Sequence, residues 1–495
     1  AVLLSAAGLL AAASPAAALA TSPSVVSRRR STLPLAAAAR MIATPAVGGD
    51  LTGEPKPKLL SDARESRVPS VLTLLAFTGP CLAASLTSEV MSVVDTSVVG
   101  RFGSTLELAS LAPAVLVADT AVYLFSFVSI ATMSLVAAAI ARNDSKAGFE
   151  TASSAQFLAF CLGIVLALLV GLNGKSLLAL VLGSSGSPKV LAAAYAYLRV
   201  RVIGIPFALL SMVSQSALQA TKDPLSPLIA VAGGGVLNLA LDAYACIQLR
   251  MGIVGAAYAT LASQVVQALL LVLALGKRRR KLSPTSEKDL FSRPNMSLLR
   301  GFVSFAGPLF FVQLGKMLCY NMMTVAVTSS GLLALAAHQV LTTIFYMSCK
   351  VGDSLSQTVQ AFLPASRSAK DGRLTLASRQ LATKLVSAST VAGLLTATLA
   401  SIAASRGGAL FTPDVAVLAQ ISATAPFVWA GLSIHSLTMF SEGVLLSSRD
   451  LKYLCSGYAV NICVFVSGLL YVKQRALGLR AVWTALALFQ LVRCL

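Results

Sequence analysis

The chain has 495 residues, of which 56% are hydrophobic and only 12% charged, about half the charged share of a soluble domain. Apolar runs of roughly 20 residues recur from Val71 onward, each long enough to cross a hydrocarbon core about 30 Å thick, so the sequence describes a polytopic helical membrane protein. Short alternating segments of about 10 residues, the mark of a membrane β-barrel, are absent. The net charge of +20 comes from Lys and Arg in the N-terminal tail and in loops between apolar runs. They have no interleaved aromatics, so the charge reads as membrane orientation and not as nucleic-acid binding.

In chain order, residues 1–66 come first and differ from the rest. An Ala/Leu run ending in an A-x-A-like site is followed by a Ser-, Arg- and Ala-rich stretch, and no acid appears before Asp50. This is the composition of a targeting segment, signal-like and then transit-like, and it predicts import into a plastid and residence in its envelope. A disordered tail, with residence in the plasma membrane or another endomembrane, is the alternative.

Twelve spans follow, near 70–99, 108–141, 153–173, 190–219, 225–248, 253–275, 299–328, 332–364, 380–404, 416–446, 453–472 and 477–494. The longest polar break is basic and falls midway, so the domains are an N-lobe at 67–276, an inter-lobe linker at 277–298 and a C-lobe at 299–495. The halves resemble each other. FTGP at 77–80 returns as FAGP at 305–308, and Thr96, Val99, Gly103 and Ala109 match Thr324, Val327, Gly331 and Ala337 at the same offset. Further on, KDP at 222–224 faces RDL at 449–451, and Gly252 and Gln264 face Gly478 and Gln490. A drifting offset is what gene duplication with small indels leaves. Six spans per unit predict two lobes related by an axis along the membrane normal, with a central cavity between them. Lys and Arg concentrate after the even spans, above all at 277–281 and 367–384, which puts both termini and the linker on the cytosolic or stromal side.

Ionisable groups inside spans are costly and face a bundle interior or a water-filled path. Asp95 lies late in span 1, where it serves an ion site or caps its helix near the interface. In span 5, Asn238 and Asp242 stand at i and i+4 on one helix face, so an amide oxygen sits above a carboxylate as a partial site for a proton or a small cation. In the second copy Asp95 corresponds to Met323, and the Asn238/Asp242 pair to apolar or Gly positions, so the scaffold does not demand these groups. Asp119 joins that cluster or is structural. Glu89 lies about 240° around the helix from Asp95 and points elsewhere. In the second half, Lys350 and Asp353, spaced i,i+3, are expected to neutralise each other. Lys316 near the middle of span 7 is either a cavity-facing cation or the partner of Glu442 in span 10, and both are candidate substrate-binding residues. The GGG at 233–235 reads as close helix packing, and His338 as a satisfied hydrogen-bonding residue. The eight cysteines show no CxxC pair or Cys/His cluster, and no enzyme, metal or nucleotide motif stands out. Neither a catalytic residue nor a cofactor is expected.

Several stretches together resemble the MATE (multidrug and toxic compound extrusion) family. They are VVDTSVVGRFGSTLELASLAP around Asp95, GIPFALLS at 204–211, NLALD, GIVGAAYATLASQ at 252–264, AAHQ and SQTVQAFLP at 356–364. The similarity runs from about residue 67 to the end and is strongest to the DinF-like and plastid branch. It implies twelve helices in two lobes and a monomeric antiporter that exports small organic solutes across the bilayer in exchange for H⁺ or Na⁺ by alternating access. It also implies that Asp95, Asn238 and Asp242 form the coupling-ion site, with Thr260 as a nearby hydroxyl. Branches that export organic cations tend to carry Glu about eight residues after the proline of span 7. Here that position is Lys316, which implies an anionic or carboxylate-bearing substrate. A lipid or lipid-linked oligosaccharide flippase of related fold is the alternative, and it predicts a strongly basic cavity.

Overall fold

The computed structural model describes residues 68–102, 105–182, 187–283, 296–366, 375–407 and 414–494. Residues 1–66, expected to be a targeting segment, and the middle of the linker lie outside the described residues. The helices are α1 Val71–Phe102, α2 Thr105–Leu124, α3 Phe127–Ala141, α4 Ser145–Leu182, α5 Pro188–Ala220, α6 Leu225–Ala243 and α7 Gly252–Leu282 in the first half. The second half contains α8 Met296–Val327, α9 Leu332–Phe362, α10 Leu376–Gly407, α11 Val415–Ser448, α12 Leu451–Gln474 and α13 Leu479–Cys494. They form twelve transmembrane spans in two six-span lobes, α1–α7, in which α2 and α3 share one span, and α8–α13.

By length and apolar composition, ten candidate spans stand out among the described residues. The other two, α9 and α13, are informative exceptions. The second half of α9 is polar, with Lys350, Asp353, Ser354, Ser356 and Gln360, and α13 covers 16 residues. The span expected at 108–141 is two helices, α2 and α3, separated by a turn at Phe125–Ser126. Pro80 sits inside an unbroken α1. The π turn Tyr244–Gln248 extends α6 toward α7.

The duplication is written into the backbone. Left-handed residues recur in pairs at nearly constant spacing: Lys222 with Arg449, Arg250 with Ala476, and Gly252 with Gly478. Asp223, after Lys222, accepts hydrogen bonds from Ser226 N and Oγ at the start of α6, and Asp450, after Arg449, accepts from Tyr453 N at the start of α12. The repeated KDP/RDL motif is therefore a left-handed turn followed by an acidic helix cap, which satisfies free N–H groups and complements the helix dipole. At Gly252 a side chain would collide with Glu107, whose carboxylate accepts from Ile253 N and holds the start of α7.

Large apolar side chains such as Leu72, Leu172, Val236 and Leu399 are exposed around the outside, the surface a bilayer covers. Within, one apolar cluster joins the lobes where α1 begins: Phe77 packs edge-on against Phe362 at 5.3 Å, with Val359, Leu381 and Phe440 around them. Beside it Thr78 and Thr358 share a hydrogen bond of 2.7 Å, Ser134 donates to Gln360 at 3.1 Å and Lys384 donates to Pro69 O at 3.1 Å. The side chains that meet there come from both lobes.

Candidate functional site

Between the lobes lies a cavity of about 380 Å³, lined from α1, α2, α8, α9, α11 and α13. The most heavily bonded group behind its wall is Glu442 on α11. One carboxylate oxygen accepts from Lys316 Nζ at 2.7 Å, and the other accepts from Arg493 at 3.0 Å and from the Tyr458 hydroxyl at 2.8 Å. Both cations also lie over the Tyr458 ring. The backbone permits this arrangement because Gly443 follows Glu442: a Cβ there would stand 3.0 Å from Ser356 O, so α11 approaches α9 closely. Lys316 thus combines the two sequence readings, since it faces the cavity and is also ion-paired to Glu442.

Arg493 was missed in the sequence, because a basic residue near the end of an apolar run reads as interfacial. Its side chain is only 4% exposed, and besides Glu442 it donates to Gln490 Oε1 at 2.9 Å. Gln490 Nε2 meets His435 Nδ1 at 3.2 Å, so His435 belongs to the same buried network.

One sequence expectation is corrected here. Lys350 pairs at 2.8 Å with Glu89 and not with Asp353. Glu89 lines the central cavity, where it reaches across to α9 of the other lobe. Asp119 pairs with Arg201 at 3.0 Å. It lies on the wall shared by the central cavity and a second, polar cavity of about 330 Å³ inside the N-lobe.

The N-lobe cavity contains Asn238 and Thr260, together with Gln215, Gln264 and Gln267. Asn238 is 4% exposed and its Nδ2 has no hydrogen-bond partner among the described residues; Asp242, one turn further along α6, is fully buried. The Thr260 hydroxyl donates to Ala256 O at 2.8 Å. The glycines at 233–235 bring α6 close to its neighbours, with Gly234 against Gln267 and Gly235 against Met91 of α1. The Asp95 side chain lies outside the described residues. Its helix nevertheless packs on α6 one turn earlier, at Met91. His338 Nε2 meets Thr324 and Thr342 at 3.3 and 3.5 Å, while its Nδ1 has no hydrogen-bond partner among the described residues, so the ring is only half satisfied.

Two lobes facing each other across a charged cavity, with a second polar site buried in one lobe, are the architecture of a membrane transporter. The MatE family model matches residues 80–244. Protein DETOXIFICATION 47, chloroplastic, of Arabidopsis thaliana is 30% identical over 418 residues, covering 84% of this chain and 75% of that protein. The DNA damage-inducible protein F of Escherichia coli is 26% identical over 295 residues, 59% of this chain and 63% of its own length. Among solved structures, a MOP superfamily transporter from Pyrococcus furiosus, described as having a binding pocket of reverse polarity, superposes with a TM-score of 0.74. It is 18% identical and covers 85% of this chain and 93% of its own. The chain belongs to the MATE family of transporters.

Proposed function

We propose that the protein is a secondary antiporter that exports small organic solutes, organic anions among them, in exchange for H⁺ or Na⁺ by alternating access. Lobes 67–276 and 299–495 move as units about the 277–298 linker, and the protein works as a monomer. Asp95, Asn238, Asp242 and Thr260 hold the coupling ion, and Lys316 with Glu442 faces the substrate. The observation that carries this reading is the N-lobe pair itself. Asn238 lines a polar cavity and the fully buried Asp242 stands one turn further along the same helix, an amide oxygen and a carboxylate of the kind a proton or Na⁺ requires.

Asp119 and Arg201 give the two sites a common wall, so ion loading in the N-lobe and substrate binding between the lobes each bias the same equilibrium. An anionic group on the substrate fits the Lys316/Arg493 wall, where two cations share one carboxylate. A flippase would require a strongly basic cavity. Here Lys316, Lys350 and Arg493 on the lining are matched by Glu89, Asp119 and Asp353, which favours a small solute. Residence in the plastid envelope is consistent with segment 1–66 and with the chloroplastic relative.

The test is flux in proteoliposomes with H⁺ and Na⁺ gradients imposed separately, across a panel of organic acids and organic cations. Accumulation of an organic acid driven by one gradient is expected. Lipid scrambling, or no gradient-driven flux of any solute, would refute the reading.

A further inference from the structure

The charges around the central cavity balance in total but not locally. On one side Lys316 and Arg493 share the single carboxylate of Glu442. Arg493 is 4% exposed and lines the cavity, and its Nε has no hydrogen-bond partner among the described residues. That side has a cation to spare and a buried donor without an acceptor. On another side the proportion is reversed. Lys350 is the cation there and its ammonium is engaged by Glu89 at 2.8 Å, while Asp353, one turn along α9, lines the same cavity and makes neither a hydrogen bond nor an ion pair among the described residues. Asp119 and Arg201 form a third group and cancel.

A cavity with an excess cation on one wall and an excess carboxylate on another best fits a molecule that carries both charges. An anion alone leaves Asp353 to share Lys350 with Glu89, and a cation alone leaves Lys316 and Arg493 with one carboxylate between them. Between the charged walls stand Tyr123, Tyr320 and Tyr346, the last two edge-to-face at 5.4 Å, which offer flat apolar surface to a ring. The volume of about 380 Å³ lies in the range of small-molecule sites.

We propose that the central cavity binds a zwitterionic small molecule with a compact, ring-bearing body, its carboxylate against Lys316 and Arg493 and its ammonium against Asp353. This rests on the transport reading above and sharpens it: the substrate is an amino acid in the chemical sense, not a simple organic anion.

Three matched probes separate the possibilities: para-aminomethylbenzoate carries both charges, para-methylbenzoate only the carboxylate and benzylamine only the ammonium. Their affinities are measured by titration on the purified protein in nanodiscs, and their flux in proteoliposomes. The zwitterion should bind about tenfold more tightly than para-methylbenzoate, as expected for one charge-assisted hydrogen bond. Asp353→Asn should erase that ratio, and Asp353→Glu should retain it. Equal affinities in the wild type, or an undiminished ratio in Asp353→Asn, overturn the assignment. If para-methylbenzoate is carried without preference for the zwitterion, the zwitterion assignment fails and the anion-transport reading stands. If benzylamine alone is bound and carried, both fail.

Discussion

Replacing Glu442 by Gln conserves shape and removes the charge that Lys316 and Arg493 share. The wild-type carboxylate accepts from Lys316 at 2.7 Å, from Arg493 at 3.0 Å and from Tyr458 at 2.8 Å. A Gln amide keeps one acceptor and turns two N–H donors toward groups that are themselves donors. Breaking a buried ion pair from one side costs about 3–5 kcal/mol, chiefly because the remaining charge stays buried. The two cations differ in this respect. The Lys316 side chain, 11% exposed at the cavity edge, recovers some water, whereas Arg493 at 4% has little to recover. The loss should therefore fall near the lower figure, about 3 kcal/mol, and arise mostly at Arg493. Denaturant titration in mixed micelles, followed by intrinsic fluorescence, measures it. Adding Lys316→Met to Glu442→Gln removes one stranded cation, so the double variant should be more stable than the sum of the single losses by about 1.5–3 kcal/mol. If Glu442→Gln unfolds within about 0.5 kcal/mol of wild type, or the two changes simply add, the buried cluster is not held as described.

Glu89→Gln breaks the cross-lobe pair with Lys350, but those side chains are 37% and 29% exposed to the cavity, so unfolding should shift by less than about 1 kcal/mol. Turnover should change all the same, because the pair joins two lobes that must move apart; unaltered turnover would count against a latch role. Gly443→Ala places a methyl group 3.0 Å from Ser356 O and should lower stability by about 1–3 kcal/mol through overpacking of α9 against α11. A thermal midpoint equal to wild type would show that the helices have room. Fused to a fluorescent reporter, residues 1–66 should direct it to plastids, and a cytosolic signal would remove the targeting assignment.

The spans were legible because a bilayer imposes a length and a composition, and the duplication because KDP and RDL each encode a left-handed turn and an acidic cap. The Asn238/Asp242 pair was legible as well, since i,i+4 spacing fixes a shared face before any partner is known. The break between α2 and α3 was not: it falls at Phe125–Ser126, with neither Gly nor Pro at the turn, and tertiary packing decides it. Lys350 and Asp353 looked like a pair because they are close in sequence. Which side chain reaches a lysine across a cavity depends on the opposing helix, and Glu89 supplies it. Arg493 was concealed by its place near the end of an apolar run, where basic residues usually turn toward the interface; here α13 delivers it to Glu442.

The central claim is that an ion held at Asp242 drives a solute held between the lobes. Accumulation of an organic acid at static head, in proteoliposomes carrying a fixed H⁺ or Na⁺ gradient, tests it most directly when wild type and Asp242→Asn are compared. Wild type should concentrate the solute against its own gradient, while Asp242→Asn, equally well inserted, should fail to concentrate it. If Asp242→Asn reaches the same concentration ratio as wild type, the ion does not act through this site and the account is contradicted.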